Sequence, residues 1–392
     1  LCWRSFDLPE RNTMKKIQEL QQIKGDAYDY YIAGNEDTDL FEKIFLVDDI
    51  VEEICKPDKY FLIGEKGSGK TAYSVYMSKS DKINSFCSIS LVENTLYQRF
   101  LNMKRQKALE LSSFKDVWIN LIYLILAEKI RKEYGETFFS SMKYKQLSKA
   151  IDVFYSDAFK PEFVNAFEFV DNASASINSM MKQGLFSTGT KASAETSQKY
   201  VEQSFQISLL KIRDGFEKAF MSVNLKKPTI LFVDGIDARP RDIDNEQYFE
   251  CLVGLVNAVL EMNQSFLKEK QIKIMLLIRP DIMYKMPVHN MNQKLRNNSV
   301  LLNWVTSYRK YIDSKLFKIA DDYFMKQQDY SYELGECWNY YFPYKVEYQE
   351  KWKAPDNPFV EFLRYSLYKP RDILTMFNEM VDATSGTQFK HS

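Results

Sequence analysis

Glycine is scarce in this chain, with 13 among 392 residues, about half the usual share. Proline, at 11, is also low. A chain so poor in breakers and rich in Leu, Ile, Lys, Glu and Phe is expected to be mostly helical. Histidine is nearly missing: only His289 and His391 occur, which argues against a histidine-based triad or a multi-histidine metal centre. The five cysteines, Cys2, Cys55, Cys87, Cys251 and Cys337, are dispersed without a CxxC pair, so neither a zinc site nor a disulfide scaffold is indicated and a reducing cytosol fits. Excess charge is absent too. Lys+Arg 53 balance Asp+Glu 53, giving no global attraction to nucleic acid. Long apolar runs are missing as well: the longest, Val117 to Ala127, contains Asn120 and falls short of the roughly 20 residues of a membrane helix.

The N-terminal stretch Leu-Cys-Trp-Arg-Ser-Phe-Asp is charged and lacks the apolar core of a secretory signal, so a cytoplasmic protein is expected. Met14-Lys15-Lys16-Ile17 reads like a bacterial translation start, which would leave residues 1–13 outside the native chain.

What remains is apolar content of 45%, ample for a large core. Apolar residues at Leu40, Phe41, Ile44, Phe45, Val47, Ile50, Val51 and Ile54 predict a helix from Thr38 to Cys55, capped around Asp37-Thr38-Asp39. Short apolar runs predict strands at Tyr60–Ile63, Phe86–Leu91, Thr229–Val233, Ile272–Ile278 and Val300–Trp304. Helices are predicted from Thr71, over Phe114–Ile130 and over Tyr248–Phe266. Strands separated by helices indicate an α/β fold with a mainly parallel sheet. Residues 92–228 are too many for a simple crossover and read as a mostly helical insertion, with a Ser/Ala/Thr/Gly-rich loop or hairpin at Ala173–Ser197.

Three of the few glycines, Gly64, Gly67 and Gly69, lie within six residues. Residues 64–71 read Gly64-Glu65-Lys66-Gly67-Ser68-Gly69-Lys70-Thr71 and fit GxxxxGK[ST], between a predicted strand and a predicted helix. Phosphate binding needs this pattern. Glycines let the backbone approach the anion in conformations other residues avoid, and N–H groups at a helix start face it. Lys70 would reach the β- and γ-phosphates and Thr71 would give a hydroxyl to Mg²⁺.

The strand Thr229–Val233 ends in Asp234, the place for a metal-holding carboxylate, with a plain turn residue as the alternative. Gly235 follows, not the glutamate many ATPases use to orient water. Asp237 is the candidate for that task, against a turn role or pairing with Arg239 and Arg241. Arg279 ends the fourth strand, on the edge where open α/β sheets bind ligands, and Arg371 opens a late helix. Each is a candidate phosphate contact, with a salt bridge as the alternative. The aromatic-rich stretch 323–352 could stack bases but reads more simply as helical core. Met103–Lys107 reads as a solvated basic helix face, His289 as a loop residue and Cys251 as core.

The combination of KGSGKT (66–71), DGID (234–237), RPD (279–281) and KPRD (369–372) resembles the AAA+-like and STAND-like bacterial P-loop ATPases, some of which act in anti-phage defence. The resemblance spans about residues 36–385 in motif order and leaves the insertion uncovered. It implies a P-loop NTPase fold of the additional-strand (ASCE) type, with a five-stranded sheet in the order 5-1-4-3-2 and a C-terminal helical lid. The corresponding division is an N-terminal segment 1–35, core parts 36–91 and 229–310, the insertion 92–228 and a lid 311–392. It further implies ATP and Mg²⁺ as ligands and nucleotide-dependent homo-oligomers. The missing Asp-Glu pair favours a slow, switch-like ATPase. No effector motif is visible, so a defence role would use a separate effector subunit, with the insertion as contact surface. An initiator- or transposition-like ATPase that binds nucleic acid, and a nucleotide-binding scaffold with little hydrolysis, are the competing readings.

Overall fold

A computed structural model of the chain describes residues 14–32, 39–92, 114–140, 144–157, 209–236, 245–286, 295–346 and 356–390. Ala173–Ser197, Met103–Lys107, Asp237, Arg239, Arg241 and His289 lie outside them, as do the predicted cap residues Asp37 and Thr38. The chain divides into two compact units, one of Leu1–Asp49, Glu65–Ser80 and Leu302–Ser392, the other of Ile50–Gly64 and Asp81–Leu301.

The second unit holds an α/β fold built on five parallel strands. They are β1 (Phe61–Ile63), β2 (Phe86–Leu91), β3 (Thr229–Asp234), β4 (Ile272–Ile278) and β5 (Ser299–Leu301), ordered β2-β3-β4-β1-β5. This is the expected order read from the other edge. Strands β1, β3 and β4 are buried along their whole length, which is why each appears in the sequence as a mainly apolar run. Register sets the edge: Ile63 pairs with Ile278, and Leu91 with Asp234. Gly64, Asp234 and Arg279 therefore all stand at the C-terminal ends of neighbouring or near-neighbouring strands.

The fifth strand is shorter than expected. It ends at Leu301, so Trp304 lies outside it. The helix predicted over Thr38–Cys55 is two helices, α1 (Asp39–Ile44) and α2 (Asp49–Cys55). The break falls where Phe45 and Asp48 are engaged elsewhere. The Phe45 ring stacks on Tyr76 at 4.1 Å, and Asp48 accepts the Tyr73 hydroxyl at 3.0 Å.

Two long helices cross on the sheet unit, α3 (Phe114–Ser140) and α4 (Asn245–Asn263). The buried face of α3 is nearly continuous from Val117 to Ala127, and its backbone leaves helical geometry at Gly135. Their crossing is close at Gly254, where an added Cβ would stand 2.5 Å from the Phe114 Cβ. Gly254→Val is expected to cost about 3 kcal/mol, because the approach leaves no room without shifting a packed helix. Thermal denaturation checks this, and an unchanged midpoint would contradict so tight a crossing. Asn263 joins α4 to the sheet: its side-chain amide donates to the Val259 and Ile274 carbonyls at 2.9 and 2.7 Å, and its carbonyl accepts the Ile274 N–H at 2.9 Å. Lys273 is buried in β4 and donates to the carbonyls of Ile54 and, at 2.8 Å, Lys56, which satisfies the C-terminal end of α2. Burial pushes its ammonium down to about 8.

In the first unit the C-terminal helices α5 (Lys315–Met325), α6 (Glu336–Tyr341), α7 (Pro358–Ser366) and α8 (Pro370–Ala383) enclose an aromatic core. Trp338 sits among Phe317, Phe324, Phe342, Phe359 and Phe377. In the described part of the 323–352 stretch, Tyr323, Phe324, Trp338, Tyr341 and Phe342 are buried core and Tyr330 is exposed, while Tyr348 and Trp352 lie outside the described residues. Asp321 is buried beneath α6 and accepts the backbone N–H groups of Gly335 and Trp338 at 2.7 and 2.8 Å. Burial raises its carboxyl above the ordinary value, and the two N–H groups oppose that rise. No described helix is long and apolar enough to cross a membrane.

Candidate functional site

The glycine-rich loop follows β1 without an intervening residue. Gly64 donates its N–H to the Ile278 carbonyl at 3.2 Å, which fixes the start of the loop on the end of β4. Gly67 and Gly69 adopt φ of +84° and +93°, the left-handed region that side-chain-bearing residues rarely enter. Gly69 then serves as N-cap of a helix running Lys70–Lys79, with no side chain capping it. The first turn carries no acid, so nothing there repels an anion. Ser68 N–H closes the loop onto the Glu65 carbonyl at 3.1 Å. Among the described residues, no group accepts from the Gly69 N–H, and the Ser68 hydroxyl is buried without a partner. Glu65 and Lys66 are exposed, Lys70 is 8% exposed, and its ammonium donates to the Glu65 carbonyl at 3.2 Å. Thr71 is half-buried in the first turn.

The helix after the loop is held from its own unit. Tyr73 donates to Asp48, and Lys315 donates to Asp48 and Asp49 at 2.7 and 2.6 Å. Burial and the Asp48 carboxylate push the Tyr73 hydroxyl well above its ordinary value, so it stays a donor across the neutral range. The Lys315 ammonium holds Asp49 below the usual carboxylate range.

Arg371 lies on the loop. Its backbone N–H donates to the Gly67 carbonyl at 3.3 Å, and its guanidinium lies where a Cβ on Gly67 would come within 3.3 Å. The same guanidinium is 3.7 Å from Asp372, its chain neighbour. One residue on the loop was not singled out by the sequence. Trp304, three residues past β5, donates its indole N–H to the Ser68 carbonyl at 2.8 Å. Its only sequence signal is position, just beyond the C-terminal end of a parallel strand, where open sheets hold ligands.

At the sheet edge of the second unit, Asp234 is 7% exposed and accepts the Gly235 N–H at 2.7 Å. Gly235 has φ +83°, and a Cβ there would meet the Val92 carbonyl at 3.0 Å, so a side chain at this turn beside β2 would be strained. Arg279 forms a two-pronged pair with Asp281, Nε to Oδ1 at 2.9 Å and Nη2 to Oδ2 at 2.8 Å. The salt bridge expected as the alternative for Arg279 is therefore present. Asp237 lies outside the described residues.

Among the described residues, no group of three or more His, Cys, Asp or Glu side chains could hold a metal by itself. That excludes, for these residues, an all-protein metal cage. It leaves the kind of site in which one or two protein oxygens share a cation with phosphate and water. The donor set on the loop suits a phosphate group: a buried unpartnered hydroxyl, an unaccepted glycine N–H at a helix start and an adjacent ammonium. No protein-family model, curated protein or solved structure matches the chain.

Proposed function

We propose that the chain is a P-loop ATPase. The observation that carries this reading is the loop at residues 64–71, with two left-handed glycines, a glycine N-cap whose N–H is unaccepted, and Lys70 at the first helical position. ATP phosphates would lie against the N–H groups of this loop, with Lys70 leaving the Glu65 carbonyl to meet the β- and γ-oxygens. A phosphate oxygen would give the ammonium a charge-assisted hydrogen bond, which is stronger than one to a neutral carbonyl. Thr71 and Asp234 would hold Mg²⁺, directly or through water. When bound, Mg²⁺ supplies charge neutralisation at the β- and γ-phosphates.

In hydrolysis, a water oriented by Asp237 would attack the γ-phosphorus. The bond from that phosphorus to the β,γ-bridging oxygen breaks, and ADP and phosphate leave. Arg371 would compensate phosphate charge from its position on Gly67, and Arg279 would do so on release from Asp281. The resemblance of the motifs supports a slow, nucleotide-dependent switch that assembles with itself and acts with a separate effector in anti-phage defence. Phosphate release measured with purified protein, Mg²⁺ and ATP, with and without DNA, tests the reading. Slow, DNA-independent turnover is expected. No turnover would reduce the chain to a nucleotide-binding scaffold, and strong DNA stimulation would make it an initiator-like ATPase.

A further inference from the structure

The loop peptides on either side of Ser68 are held from outside the loop. The Gly67 carbonyl takes the Arg371 N–H, and the Ser68 carbonyl takes the Trp304 indole N–H. Both peptides adjoin a glycine with positive φ, where side-chain sterics constrain orientation least. At the Gly67–Ser68 peptide the internal Ser68 N–H bond to Glu65 shares this task with Arg371, and at the Ser68–Gly69 peptide the external bond from Trp304 sets the direction. A planar trans peptide sets its C=O and N–H in opposite directions. Holding the Ser68 carbonyl toward Trp304 turns the Gly69 N–H the other way, and that is the N–H no described group accepts.

The segment bearing Trp304 is itself tied to the segment bearing Arg371. Tyr308 stacks on Tyr368, with ring centroids 6.3 Å apart and planes 12° from parallel, and the Arg364 guanidinium lies 5.0 Å over the Tyr308 ring. Tyr368 and its neighbour Leu367 both hold left-handed backbone, φ +60° and +49°, without being glycine. Two such residues in succession are costly and persist only where surrounding contacts demand them. Here they turn the chain from α7 into α8 so that Arg371 meets Gly67. Loop, 304–308 segment and α7–α8 corner thus form a closed set of three contacts within one unit.

We propose that Trp304 is a positioning residue for nucleotide binding: its indole N–H orients the Ser68–Gly69 peptide so that the Gly69 N–H faces phosphate, an inference that rests on residues 64–71 binding nucleotide. Trp304→Phe keeps the ring and removes the donor. Calorimetry should show the Kd for Mg·ADP rising about 3- to 10-fold. The KM for ATP should rise in step while kcat changes less than about twofold, because the bond serves ground state and transition state alike. The wild-type minus Trp304→Phe emission spectrum, which isolates Trp304 from the other four tryptophans, should shift when Mg·ADP is added. Hydrogen exchange on the wild type avoids any dependence on the variant's folding. Mg·ADP should protect residues 302–308 together with residues 64–72. Wild-type nucleotide affinity in Trp304→Phe, or protection of 64–72 without 302–308, would overturn the proposal while leaving nucleotide binding intact. A wild-type chain that binds no Mg·ADP would overturn both.

Discussion

Lys70→Ala is expected to weaken Mg·ATP binding by about 10- to 100-fold and to bring phosphate release to background. Lys70 is 8% exposed, and its ammonium donates to the Glu65 carbonyl at 3.2 Å. A charge-assisted bond to phosphate is worth roughly 1.5–3 kcal/mol, which sets the size of the loss. Alanine is the best helix former, so the substitution should leave the Lys70–Lys79 helix formed. Equilibrium binding of a fluorescent ATP analogue, beside a thermal melt within a few degrees of wild type, checks both halves. Unchanged binding by a folded Lys70→Ala protein would remove the phosphate-loop role from residues 64–71.

The second large effect is expected from Asp234→Asn, on turnover more than on binding. Asp234 sits at the end of β3 with 7% exposure and accepts the Gly235 N–H at 2.7 Å. Asparagine can keep that acceptance through its carbonyl oxygen, so the turn at Gly235 is expected to survive while the negative charge is lost. A metal contact supplies several kcal/mol of charge stabilisation, so Mg²⁺-dependent phosphate release should fall on the order of 100-fold. Nucleotide affinity in EDTA should stay within a few-fold of wild type. A titration of Mg²⁺ against phosphate release separates the cases. An Asp234→Asn protein with wild-type turnover and Mg²⁺ dependence would make Asp234 a turn residue only.

The features legible in the sequence were the local ones. β1, β3 and β4 are legible because parallel strands buried on both faces read as mainly apolar runs, as Ile274–Ile278 does. The loop was legible because its strand, glycines, lysine and helix are contiguous. Periodicity missed the break between Ile44 and Asp49, since nothing local shows that Phe45 and Asp48 are claimed by Tyr76 and Tyr73. It also carried the fifth strand through Trp304, because an apolar indole extends an apolar pattern whether or not its backbone pairs. The motif marks Arg371, but its contact with Gly67, some 300 residues earlier, depends on the left-handed corner at Leu367–Tyr368, which no propensity predicts. The pairing of Arg279 with Asp281 is legible in kind, since a carboxylate two residues on is within reach, but the sequence alone does not single out this partner.

The central question is whether residues 64–71 bind a nucleoside triphosphate. Isothermal titration of Mg·ATP into the wild-type chain tests this most directly, with Lys70→Ala as the reference. Saturable binding at one nucleotide per chain is expected, weakened at least about 10-fold by the substitution. Absence of binding by folded wild-type protein, or equal binding by the two proteins, would contradict it.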